Sequence, residues 1–153
     1  MFIPLIIGCA TVFVSMGIQI IAVVFMLHYL EGFISVEKEK FASLSKNTYI
    51  LSMVMLMLFI GHLLQVAIWA LLFIYLDEFG DFVTAFYHSM VNFASLGYGD
   101  IVMSEEWRLL GAIEASNGVL MFGLSAGTLL SVMTYLISSR RQANVHLPET
   151  SDR

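Results

Sequence analysis

Ser95-Leu96-Gly97-Tyr98-Gly99-Asp100 is the stretch whose residue types and spacing could do chemistry. Its reagents are backbone carbonyls more than side chains. A dehydrated cation needs a cage of oxygens in place of its water, and stacked rings of carbonyls provide one. Aiming successive carbonyls one way requires alternating backbone conformations that glycine adopts cheaply, and Gly97 and Gly99 stand at alternate positions. The expected ligands, within a strip running from Ser95 to Gly99, are the carbonyls of Ser95, Leu96, Gly97 and Tyr98 together with the Ser95 hydroxyl. One chain supplies one strip, so a closed ring demands several copies around an axis.

The elements that must hold this strip are helical and membrane-embedded. Hydrophobic residues make up 59% of the 153-residue chain, charged residues 12%, and the mean hydropathy is +0.85, which overrides the prior of a soluble domain. Apolar segments run from Leu5 to Leu30, Thr48 to Leu76 and Leu109 to Ile137. Each exceeds the roughly 20 residues that a helix needs to cross the hydrocarbon. Between the second and third lies Asp81 to Ala94, helix-compatible but too short and polar to span, with Gly80 as a break and Asp81 as N-cap. Non-helical backbone at membrane depth is tolerated only where protein buries it or water lines it, so the strip must sit at a protein-lined axis.

The expected fold class is an all-α membrane protein with three transmembrane helices plus a re-entrant pore helix and filter loop. Its parts are an N-terminal transmembrane helix (1–36), a cytoplasmic connector (37–47), a pore module (48–137) and a short cytoplasmic tail (138–153). Within the module the expectation is an outer helix over 48–76, a pore helix over 81–94, the filter over 95–99 and an inner helix over 108–137. The N-terminus has no basic region and its apolar run outlasts a signal peptide, so it reads as a retained span.

Charge placement sets the orientation. Lys38, Lys40, Lys46, Arg140, Arg141 and Arg153 fall on one side and Arg108 on the other, which places the N-terminus outside and the C-terminus in the cytoplasm. The outer side also collects Asp77, Glu78, Asp81, Asp100, Glu105 and Glu106, an acidic vestibule that concentrates cations. The C-terminal end of the pore helix, near Phe93-Ala94, turns its negative dipole end toward mid-membrane and favours a cation there.

Polar residues inside the spans read first as structural. Gln19, His62 and Gln65 suit hydrogen bonds between helices, and Met53, Met55 and Met57 suit gap filling, since a spacing of two does not share a helical face. Cys9 is the single cysteine, so no intrachain disulfide can form. No organic cofactor is expected, and no Ser/His/Asp set, metal cluster or phosphate loop points to an enzyme.

Residues 48–137 resemble the pore module of prokaryotic potassium channels. Ser95-Leu96-Gly97-Tyr98-Gly99-Asp100 is similar to that family's Thr-Val-Gly-Tyr-Gly-Asp, with Ala94 and Ser95 where two threonines are usual. The resemblance implies potassium ions as the transported species, bound at Ser95, Leu96, Gly97 and Tyr98, and a homotetramer in the plasma membrane. It further implies that Tyr87 pairs with Asp100, that His88 takes the neighbouring aromatic position, and that Tyr98 points back into this cuff. Val91 stands where some relatives carry a glutamate. In the third span Gly118 falls near a hinge position and Phe122-Gly123 matches a Phe-Gly pair. By the same likeness Val119, Phe122, Ala126 and Leu130 line a cavity, and their i, i+3, i+7, i+11 spacing shares one helical face.

Glu114 does not fit that face. At about 100° per residue it lies roughly 125° from the face's mean direction, toward the pore helix or a neighbouring chain. A structural hydrogen bond near the filter is one role for it and a proton sensor is another.

Three functions remain in view: a potassium-selective channel, a non-selective cation channel loosened by Ala94 and Leu96, and a non-conducting scaffold or regulatory subunit. The first helix has no arginine series, which speaks against a voltage sensor. Gating then falls to the pore, to membrane lipid or to a separate regulatory chain. Nucleic acid is not an expected partner.

Overall fold

The computed structural model describes residues 2–36 and 44–145, which form four α-helices and no strand. They are α1 (Phe2–Val36), α2 (Leu44–Tyr75), α3 (Phe82–Phe93) and α4 (Arg108–Val145). Three contain apolar windows long enough to cross a membrane: Phe2–Leu30, Asn47–Tyr75 and Arg108–Ser139. The protein is an all-α, multi-pass membrane protein. At 35 residues α1 is about 52 Å long, more than the roughly 30 Å of hydrocarbon, so its end extends beyond the apolar layer. Pro4 sits in its first turn, where the missing N–H is not needed.

Several boundaries differ from the sequence expectation. α2 begins at Leu44, inside the expected connector, and the inner helix runs to Val145 instead of stopping at Ile137. Ser138 to Val145 contains neither Gly nor Pro, and Arg140, Arg141, Gln142 and Ala143 are good helix formers, so nothing ends α4 at the membrane edge. Lys38, Lys40 and Arg153 lie outside the described residues.

Among the described helices α3 is the two-faced one. Ala85, His88, Ser89, Val91 and Phe93 are buried, while Phe82, Val83 and Tyr87 are exposed. Asp81 caps it: the carboxylate accepts from Thr84 N at 2.9 Å and from Thr84 Oγ1 at 2.7 Å. These bonds hold the Asp81 carboxyl below its usual range, the Thr84 hydroxyl contributing most. The buried face packs on α2 and α4 around Trp69, Phe73, Phe79, Ala85, Phe93 and Leu110. A second cluster joins α1, α2 and α4 through Met26, Leu30, Ile50, Val54, Leu58, Val132 and Leu136.

Within the subunit α1 packs on α2 and α4 of its own chain. Lipid is as apolar as leucine, so close approach and hydrogen bonds must hold α1 there. Close approach occurs at Gly8, where a Cβ would come within 2.6 Å of Ile113 Cδ1, and at Gly61, where it would meet Gln19 Oε1 at 3.3 Å. The hydrogen bonds come from the expected polar residues. Gln65 Nε2 donates to Gln19 Oε1 (2.7 Å), and Gln19 Nε2 donates to Ser125 Oγ (2.9 Å). The Ser125 hydroxyl lies 3.0 Å from His62 Nε2. One chain of polar groups thus crosses all three spans.

Candidate functional site

The strip begins where α3 ends. The Ser95 N–H donates to the Asn92 carbonyl at 2.7 Å and the Leu96 N–H to the Val91 carbonyl at 2.9 Å. This pair of bonds, with Ser95 at a positive φ of 57°, is a Schellman cap. Glycine usually fills that left-handed position, and a serine there was not foreseen from the sequence. α2 ends in the same way at Asp77, with φ 61°, the Asp77 N–H donating to the Ile74 carbonyl and the Glu78 N–H to the Phe73 carbonyl.

Beyond the cap the left-handed conformation recurs at every second residue. Ser95 has φ 57°, Gly97 57° and Gly99 72°. The helix cap is therefore also the first step of an alternating backbone. All residues from Ser95 to Asp100 are exposed in the single chain, and no atom stands within 4 Å of a Cβ built on Gly97 or Gly99. The Ser95 hydroxyl makes only a long contact, 3.5 Å, to the Ala115 carbonyl.

Two braces hold the strip from behind and above. Tyr87 Oη donates to Asp100 Oδ2 at 2.7 Å, joining α3 to the exit of the strip. That bond holds the Asp100 carboxyl below its usual range and the Tyr87 phenol above its own. His88 forms the second brace, Nδ1 lying 3.0 Å from the Ile101 carbonyl and Nε2 2.8 Å from Asn92 Nδ2. A carbonyl only accepts and an amide NH₂ only donates, so Nδ1 carries the proton and Nε2 takes the Asn92 bond. Between the helices Glu78 accepts from Ser104 N at 2.7 Å and from Ser104 Oγ at 2.6 Å, which ties the loop before α3 to the loop before α4.

The single chain places three of the expected residues as follows. Tyr98 does not enter its own chain's cuff: it is 63% exposed, and Phe79 and Phe73 take the places beside His88, at ring separations of 4.8 and 5.6 Å. Behind Gly97 and Gly99 there is instead a cleft of about 240 Å³ lined by His88, Asn92 and Arg108 among others. Gly118, expected near a hinge position, is buried, and a Cβ there would overlap the Phe93 carbonyl. Its role in the subunit is to let α4 touch the end of α3. Phe122, expected as lining, is 43% exposed and also packs edge-on against His62 and Phe93. Val119, Ala126 and Leu130 lie exposed along α4 as the periodicity requires.

Glu114 is fully buried and in hydrogen-bond contact with Ser89 Oγ on α3. The Ser89 Oγ also lies 2.9 Å from the Val66 carbonyl on α2. Sequence reasoning singled out neither Ser89 nor Asn92. A signal existed: Gly111 and Gly118, two turns apart on α4, bracket Glu114, and both meet α3, at Asn92 and Phe93.

A short amphipathic helix capped into an exposed, alternating strip, between two spans and beneath an acidic loop surface, defines a pore-forming class of membrane protein. An ion-channel family model matches residues 53–135, more than half of the chain, and the chain belongs to that family. No curated protein and no solved structure matches it.

Proposed function

We propose that this chain is the subunit of a homotetrameric potassium-selective channel of the plasma membrane, conducting K⁺ passively through rings of carbonyls from Ser95, Leu96, Gly97 and Tyr98. The observation that carries this reading is the left-handed φ at Ser95, Gly97 and Gly99. Alternation of this kind lets consecutive peptide oxygens share one direction, which is what replacing the water of a dehydrated ion requires. The unpaired strip supports assembly, because a ring of oxygens needs several strips and one chain leaves its own open. Val119, Ala126 and Leu130, exposed and apolar on α4, would then border the cavity below the filter. Tyr87, His88 and Asp100 support the filter, and Asp77, Glu78, Glu105 and Glu106 enrich cations at the outer mouth, with the N-terminus outside and the C-terminus cytoplasmic. The transport role leaves no step for catalysis.

Thallium, a heavy potassium mimic, tests the proposal in crystals of the purified protein. Anomalous density on a fourfold axis at the level of the Gly97 carbonyl is the expected result. A different assembly, or an axis without density in thallium, would contradict it.

A further inference from the structure

Glu114 poses a problem of proton supply. The Ser89 hydroxyl has one proton and two acceptors within reach, the Val66 carbonyl at 2.9 Å and Glu114 Oε1. A carbonyl cannot donate, so if Ser89 serves Val66 the proton between Ser89 and Glu114 must come from Glu114. The surroundings give no reason for the carboxyl to be ionised. On α3 the groups that reach it are the side chains of Ser89 and Asn92. His88, next along that face, is the neutral imidazole whose Nε2 accepts from Asn92. α2 carries no charged side chain from Thr48 to Leu76, its tyrosines Tyr49 and Tyr75 are exposed near its two ends, and its one histidine, His62, engages Ser125. α1 carries no Asp, Glu, Lys or Arg from Phe2 to Leu30, and its Cys9, His28 and Tyr29 are exposed. On α4 itself the nearest cation is Arg108, exposed at the head of the helix, while Asn117, one turn beyond Glu114, is neutral. An unpaired buried carboxylate inside a membrane span costs far more than a hydrogen-bonded neutral acid.

We propose that Glu114 is a neutral carboxylic acid that donates its proton to Ser89 Oγ, whose own hydroxyl proton is donated to the Val66 carbonyl, so that one directional relay fixes the pore helix to both flanking spans. Glu114 is thereby a positioning residue for the filter. Gly111 and Gly118 make the relay possible, since a Cβ at either would press on α3 at Asn92 or Phe93 and hold the carboxyl away from Ser89. The relay does not rest on potassium selectivity.

Infrared spectroscopy of the full chain in lipid tests the relay without requiring current. At neutral pH the wild type should show a protonated-carboxyl stretching band, because exposed carboxyls, with pKa values near 4, are then ionised. Glu114→Gln should abolish that band and keep conduction, since its amide can still donate to Ser89. Glu114→Ala should lose conduction. Ser89→Ala should shift the band to higher frequency by removing the acceptor. No protonated-carboxyl band at neutral pH, a band that survives Glu114→Gln, or a band unmoved by Ser89→Ala would each overturn the relay. The wild-type spectrum and the Ser89→Ala shift keep the test decisive should a Glu114 variant fail to assemble. A wild type with the band and no potassium current would leave the relay standing and count against the proposed function alone.

Discussion

The back of the pore helix and the strip that follows it are adjacent in sequence and opposite in character. His88, Ser89 and Glu114 are buried, and each is hydrogen-bonded within the chain. Ser95 to Gly99 is exposed, with alternating left-handed backbone and no side-chain packing against Gly97 or Gly99. The first region is finished by one chain and the second is not. A self-contained scaffold presents an exposed strip, which is the build that the proposed ring of several copies requires. The same contrast separates the glycines. Gly111 and Gly118 exist for packing, whereas Gly97 and Gly99 exist for backbone conformation.

Substitutions should divide along that line. The largest effect is expected for Gly118→Ala. Overpacking typically costs about 1–3 kcal/mol where side chains can yield, but here the obstacle is the Phe93 carbonyl, so α3 itself must move. Thermal unfolding in detergent should fall and current should vanish together. Gly97→Ala comes next and should separate the two readouts: a left-handed alanine costs about 1–2 kcal/mol, yet open space surrounds it, so the subunit folds while conduction is lost. Unfolding temperatures as low as those of Gly118→Ala would erase the distinction between the two kinds of glycine.

Tyr87→Phe should have a smaller effect, weakening the brace at Asp100 and loosening selectivity without unfolding. Its pH signature follows from the shifted groups. Asp100 is held below its usual value, so its contribution is present above about 3.9 and is lost as pH falls through the lower folded value. Tyr87 is held above its usual value, so its contribution is present below about 10 and is lost as pH rises through the higher one. Thermal stability of the wild type should therefore decline at both flanks, and Tyr87→Phe should flatten both. The smallest effect is expected at Gln19→Leu, which breaks the chain from Gln65 to Ser125. Interhelical hydrogen bonds in membranes average about 0.6 kcal/mol, so a small loss in unfolding free energy is expected, with the filter unaffected.

Much of this arrangement was legible in the sequence, and the reasons differ by element. The three spans follow from apolar length, and α3 from its capping aspartate and its place between two of them. The strip was legible because Gly97 and Gly99 alternate, and the Tyr87–Asp100 bond because the resemblance assigned it. Ser95 was not foreseen as a left-handed residue, since propensity points to glycine at a helix C′ position and the cap bonds to Val91 and Asn92 override it. The direction of Glu114 was legible from the helical period, but its partner was not. Finding Ser89 required knowing how closely α3 and α4 approach, and that closeness is marked in the sequence only by the two-turn spacing of Gly111 and Gly118, which a reading of apolar periodicity passes over. The end of α4 was misplaced because hydropathy marks where the membrane stops, while helix propensity continues to Val145.

The central claim, a potassium-selective filter built from Ser95 to Gly99, is tested most directly by the reversal potential of the purified protein in a planar bilayer with potassium on one side and sodium on the other. A value close to the potassium equilibrium potential is the predicted result. A clear current reversing near zero would contradict it.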